Sequence, residues 1–171
     1  NDMIDWAKRY CKALENGKKF THIIWPYHCL NDTYGQKVYP LLQEALKKWE
    51  SDKQRPITWL NKGQNNLTEM YSALSAEVKV KEDATTELRM PLITQLSMYQ
   101  KVFVCGQAKS HCVNQTMRDL IEGFTKIRRE NKAQLVLLNN CTSPVTGYEK
   151  QGADLETHCR ENSVQVINHD E

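Results

Sequence analysis

Three short stretches carry side chains able to do chemistry, and each follows an apolar run. The most pointed is Gly106-Gln107-Ala108-Lys109-Ser110-His111-Cys112, directly after Val102-Phe103-Val104. A strand that stops at Gly106 and a helix that starts near His111 lift Cys112 to the carboxyl edge of a sheet, where open α/β sheets bind their ligands. Free N–H groups and a partial positive charge at a helix N-terminus favour a thiolate, so Cys112 is the candidate nucleophile. Lys62, in Asn61-Lys62-Gly63, reads in two ways: as a solvated surface lysine, or as a cleft cation that promotes ionisation of a nearby thiol. His28, in Trp25-Pro26-Tyr27-His28-Cys29, is either a loop histidine or a metal ligand, and a divalent ion needs three or four protein ligands. Trp25 and Tyr71 read equally as core residues and as walls of a flat apolar pocket. His111 is a poor base for its neighbour, because adjacent helical residues point about 100° apart.

These residues must be held by a fold, and composition bounds which one. A chain of 171 residues is one domain by the usual prior and large enough to bury a core without disulfides. Twenty-three Lys and Arg against twenty-one Asp and Glu leave a net charge of +2, which gives no electrostatic footprint for nucleic acid or a membrane surface. No apolar stretch approaches the ~18 residues of a membrane span. Six cysteines with no CxxC pair argue for reduced thiols, hence a cytoplasmic protein rather than a disulfide scaffold or a zinc ribbon. The expected partner is a small, weakly charged molecule.

Periodicity then places the elements. A helix is predicted over residues 2–15, ending at Asn16-Gly17. Thr21–Trp25 reads as a buried strand stopped by Pro26. A second helix opens at Pro40 with Leu41, Leu42, Ala45, Leu46 and Trp49 as its buried face. Ile57–Leu60 is another strand, residues 68–74 a short helix or turn, and residues 78–87 an extended excursion. A helix over 86–99 admits Pro91 only in its first turn. The central strand is 101–106, and the helix after Cys112 carries Val113, Met117, Leu120, Ile121 and Phe124 on one face. Leu135–Leu138 and Val164–Ile167 are strands, and Glu149–Glu161 the helix between them. Strands alternating with helices give an α/β fold in three layers: a mostly parallel sheet flanked by helices.

The three motifs, in this order and spacing, resemble those of the isochorismatase-like cysteine hydrolases, and within them the nicotinamidase branch. Trp25-Pro26-Tyr27-His28-Cys29 is similar to that branch's WPxHC motif, Lys62-Gly63 with Tyr71-Ser72-Ala73 to its catalytic-lysine region, and Gly106 to Val113 to its nucleophile loop. The resemblance implies Cys112 as nucleophile, Lys62 as second member of an Asp-Lys-Cys triad, and a cis Gln107–Ala108 bond. It further implies an oxyanion hole from the N–H groups of Ala108 and Cys112, and Trp25, Tyr71 and Gln107 at the substrate. His28 would be one ligand of a divalent metal, zinc, iron or manganese. The implied reaction is hydrolysis of a small carboxamide, nicotinamide to nicotinate and ammonia, through a cysteine thioester, in a homo-oligomer. In the family the triad Asp ends the first strand and the other metal ligands form an Asp-x-His in the next region, both before the WPxHC motif, and the stretch before Trp25 contains neither. The expectation is therefore a single hydrolase-like domain lacking its N-terminal portion, with a companion N-terminal fragment to supply it. The competing class is a non-catalytic binding or assembly protein on the same fold, without the Asp. A thiol redox protein has less support, since no resolving cysteine lies near Cys112 in sequence.

Overall fold

The computed structural model describes residues 2–17, 20–130 and 132–170. Its elements are α1 (Asp2–Asn16), α2 (Pro40–Lys53), α3 (Met90–Leu96), β1 (Lys101–Val104), α4 (Cys112–Lys126), β2 (Gln134–Leu138), α5 (Glu149–Glu161) and β3 (Gln165–Ile167). The strands form one parallel sheet in the order β1-β2-β3, with Val102 opposite Leu135 and Leu137 opposite Val166. This is the expected α/β architecture, built as two successive strand-helix-strand units.

The best-formed part is where local sequence is least ambiguous. Leu135, Val136 and Leu137 are buried in a row, as a central strand covered on both faces requires. The stripe of Val113, Met117, Leu120, Ile121 and Phe124 buries one side of α4, which packs against both α3 and α5. Leu74, Ile93, Leu155 and Cys159 complete this core. Gly123 is where α4 meets Ile93: a Cβ there would lie 2.7 Å from both Ile93 Cδ1 and Cγ2. Ile93 is fully buried, and its branched stem cannot swing away. Gly123→Ala is therefore expected to destabilise by about 1–2 kcal/mol, overpacking outweighing the better helix propensity of alanine. A urea midpoint at or above that of the parent protein would contradict it.

In the first sixty residues the helices α1 and α2 form where the sequence places them, and the two expected strands do not. Neither Thr21–Trp25 nor Ile57–Leu60 forms a strand, and Ile24 and Trp59 are 90% and 60% exposed. β propensity describes a side chain's fit to a pleated, half-buried surface, and neither segment has a strand to pair with. Among the described residues β1 pairs only with β2, so its second edge is open there, and Phe103 on it is exposed. The amphipathic face expected of α2 is likewise uncovered: no residue of that helix is buried, and Leu41, Leu42 and Trp49 are all exposed.

Between these halves, a segment without regular structure is held by side chains. The Ala73 N–H donates to Thr116 Oγ1 at 2.9 Å, and Ser75 Oγ donates to Asp119 Oδ2 at 2.7 Å. Both acceptors lie on α4, so residues 68–76 lie along that helix and carry Tyr71 toward its first turn. The 86–99 helix is shorter than expected, Met90–Leu96 with Pro91 in its first turn. Before it, a 3-10 turn at Ala84–Thr86 is capped by Asp83, whose side chain accepts from the Thr85 N–H.

Candidate active site

The loop from Gly106 to His111 is fastened to the segment that follows β2. The Gly106 N–H donates to Cys141 O at 3.1 Å and the Lys109 N–H to Ser143 O at 2.8 Å. Ser143 Oγ donates to Gln107 Oε1 at 3.1 Å, so the exposed Gln107 side chain is engaged by Ser143. Gly106 has φ +122°, a backbone conformation open to glycine and strained for other residues. The Gln107–Ala108 peptide bond is cis, as the resemblance implies. Ala108 O accepts from the N–H groups of His111 and Val113 at 3.1 and 3.0 Å. Cys112 is thereby the first residue of α4, half-buried and a free thiol. Among the described residues the N–H groups of Ala108 and Cys112 have no hydrogen-bond acceptor. Two free donors flank a thiol at a helix N-terminus, the arrangement in which an acyl oxyanion is received.

An ion pair secures the loop from behind. Lys109, 9% exposed at its side chain, pairs with Glu156 of α5 and donates to Asn139 Oδ1 at 2.6 Å. Glu156 also accepts from Arg160 at 3.1 Å. Burial pushes the Glu156 carboxyl up, but the hydrogen bond and charge of Lys109, joined by Arg160, outweigh it and hold the group below its ordinary 4.5. The stem of Lys109 passes Gly152, where a Cβ would sit 3.5 Å from Lys109 Cδ and 3.3 Å from Pro144 Cβ.

Beside Cys112 is a cluster of rings that the sequence disclosed only in part. His111, 3% exposed, stacks on Phe20 with centroids 4.7 Å apart and meets Tyr148 edge-on at 4.6 Å. Tyr71 and Trp25 lie at 5.3 and 5.5 Å from the same imidazole. Trp25 Nε1–H donates to Tyr71 Oη at 2.8 Å, so these two pocket candidates are joined. Burial, with smaller contributions from Glu69, Glu77 and Cys112, pushes the Tyr71 phenol up to about 12, although the Trp25 bond opposes the shift. Burial also lowers the His111 pKa, keeping the imidazole neutral. Ser110 Oγ accepts from the Val145 N–H at 3.0 Å and lies 2.8 Å from His111 Nδ1. Whichever of the two donates in that contact, His111 Nε2 is buried without a partner. Position just before the candidate nucleophile was the only signal for His111, and nothing local marked Phe20 or Tyr148.

Lys62 and His28 hold partners other than these rings. Lys62 Nζ donates to Met70 O at 2.7 Å, and it lines a cavity of about 210 Å³ to which Cys112 does not contribute. His28 is exposed, with Nδ1 2.6 Å from Pro26 O. Among the described residues no three His, Cys, Asp or Glu side chains converge on a point that could hold a metal ion. The donor set therefore does not fit a resident zinc, iron or manganese ion, because one imidazole supplies too few ligands. Nor is any described helix long and apolar enough to cross a membrane.

The fold is that of nicotinamidases, and the likeness is structural, since the sequence matches no family profile and no curated protein. The chain is similar to the yeast nicotinamidase at 19% identity and a TM-score of 0.60, over 86% of this chain and 59% of that one. Against the same yeast enzyme bound to the inhibitor nicotinaldehyde the identity is 18% and the TM-score 0.59, with the same coverage. Against a nicotinamidase and pyrazinamidase of Acinetobacter they are 16% and 0.58, over 86% of this chain and 60% of that one. The chain thus spans about three fifths of the length of these structures.

Proposed function

We propose that this chain is the larger part of a cytoplasmic cysteine amidohydrolase that converts nicotinamide to nicotinate and ammonia. The observation that carries the reading is the half-buried Cys112 thiol at the start of α4, flanked by the unpaired N–H groups of Ala108 and Cys112. In the proposed reaction Cys112 Sγ bonds to the carboxamide carbon while the oxyanion is received by those two N–H groups. Collapse breaks the carbon–nitrogen bond, and the amine leaves as ammonia after taking a proton. Water then adds to the thioester, releasing nicotinate and restoring the thiol. Trp25 and Tyr71 border the pyridine ring, which fits their placement in the ring cluster. No step runs through a metal.

The proton acceptor belongs to a companion segment. The open edge of β1, the exposed Phe103 and the unpaired Thr21–Trp25 and Ile57–Leu60 segments are what a sheet lacking one internal strand leaves behind. A strand inserted beside β1 closes the edge, gives the apolar segments a partner, and carries a carboxylate to its carboxyl end near Cys112. Lys62 joins the site as its own segment pairs.

The second reading, a non-catalytic binding protein, is favoured by the engagement of Lys62 Nζ with Met70 O, in a cavity that Cys112 does not line. Nicotinaldehyde separates the readings without requiring turnover. Its carbonyl carbon accepts the Cys112 sulfur, and its oxygen takes up the thiol proton, giving a thiohemiacetal that needs nucleophile and oxyanion hole but no leaving group. The expected result is a saturable adduct of one aldehyde per chain, read by mass spectrometry under native conditions and absent in Cys112→Ala. An adduct spread equally over the other cysteines, or none, would overturn the assignment.

A further inference from the structure

The 210 Å³ cavity beside Lys62 has a chemistry of its own. Its lining includes Asn61, Lys62, Asn65, Met70, Ala76 and Arg89, and no Asp or Glu, so two cations line it and no carboxylate does. Lys62 Nζ has a single acceptor, Met70 O. Arg89 donates through one terminal nitrogen to Asn61 O at 3.3 Å, and its Nε–H is buried with no partner. Neither cation has an ion-pair partner among the described residues. Of the acids nearby, Asp83 accepts from Asn65 Nδ2, from the Thr85 N–H and from Thr85 Oγ1, Glu69 accepts from the Met70 N–H, and Glu77, beside Ala76, is buried but forms no ion pair with either cation.

Two partly desolvated like charges in one small cavity repel each other, and an unpaired buried guanidinium N–H carries a desolvation cost of its own. A bound anion removes both penalties. We propose that this cavity binds a small oxyanion, a carboxylate or inorganic phosphate, between Lys62 Nζ and Arg89 Nε. The volume is below the ~300 Å³ at which pockets for drug-sized ligands begin, which restricts the ligand to a small anion and excludes a nucleotide. Buried Met70 and Ala76 give an apolar wall, against which the body of a carboxylate packs better than a phosphate does. The site does not depend on amide hydrolysis, although an anion bound at Lys62 would hold that lysine away from Cys112.

Calorimetric titration with benzoate and, separately, with inorganic phosphate tests the inference on the chain as it stands. The expected result is saturable binding of one anion per chain, at least tenfold weaker in Arg89→Met and in Lys62→Met and unchanged in Lys48→Met, an exposed lysine on α2. The two arms tell a carboxylate site from a phosphate site. Binding of neither anion, or binding that Arg89→Met and Lys62→Met leave unchanged, overturns the proposal. If Arg89→Met does not fold, Lys62→Met, which loses one exchangeable backbone contact, decides alone.

Discussion

Cys112→Ala is expected to abolish ammonia release from nicotinamide, lowering kcat at least ~10³-fold while nicotinamide still binds. The size follows from what remains without the thiol. Loss of the nucleophile leaves only binding and the oxyanion hole, and systems of this kind retain a residual rate far below the intact one. No neighbouring group can take over. Ser110 is fully buried, with its hydroxyl between the Val145 N–H and His111 Nδ1. His111 is enclosed by rings, with its Nε2 buried, so its imidazole is not presented for attack. A coupled ammonia assay, run with the companion segment present where turnover requires it, reads the effect. Release within tenfold of the parent protein would remove Cys112 from the mechanism, whereas a raised KM with kcat intact would place it in binding alone.

What the sequence disclosed and what it hid follow from the range of the interactions. The stripe on α4, the continuous apolar run of β2 and the span of α5 were legible because each is fixed by neighbours within about four residues. The cis Gln107–Ala108 bond was reached through a motif rather than from periodicity. Thr21–Trp25 and Ile57–Leu60 carry strand composition yet form no strand, because a strand exists only with a partner and β1 meets none on its open side. The stripe on α2 misled for the same reason: it records a surface to be covered without stating what covers it. The ring cluster joins residues 20, 25, 71, 111 and 148, and the Lys109–Glu156 pair spans 47 positions. Contacts of that reach leave no period in the chain.

That ion pair carries the second large expected effect. Glu156→Gln removes the negative charge from beside a lysine whose side chain is 9% exposed, leaving a buried ammonium with neutral acceptors alone, Asn139 Oδ1 and the amide oxygen introduced at position 156. Breaking a buried pair from one side costs about 3 kcal/mol, which for a chain of this size lowers Tm by roughly 6–12 °C. Lys109 also lies in the loop whose N–H donates to Ser143 O, so the Gly106 and Lys109 amides should exchange faster than those of β2. The pH dependence has a definite sign. The folded-state carboxyl lies below 4.5, so its stabilisation is complete above that value and is lost as the pH falls through the lower, folded one. Urea midpoints measured from pH 7 down to pH 3 should therefore fall less in Glu156→Gln than in the parent protein, the remaining acid sensitivity arising from groups such as Asp83, which the Asn65 and Thr85 hydrogen bonds hold low. Replacing both partners, as in Lys109→Met with Glu156→Leu, should recover most of the lost stability, because no buried charge is then left alone. Equal destabilisation in the single and double variants would show that packing along Gly152, and not the charge pair, holds the loop.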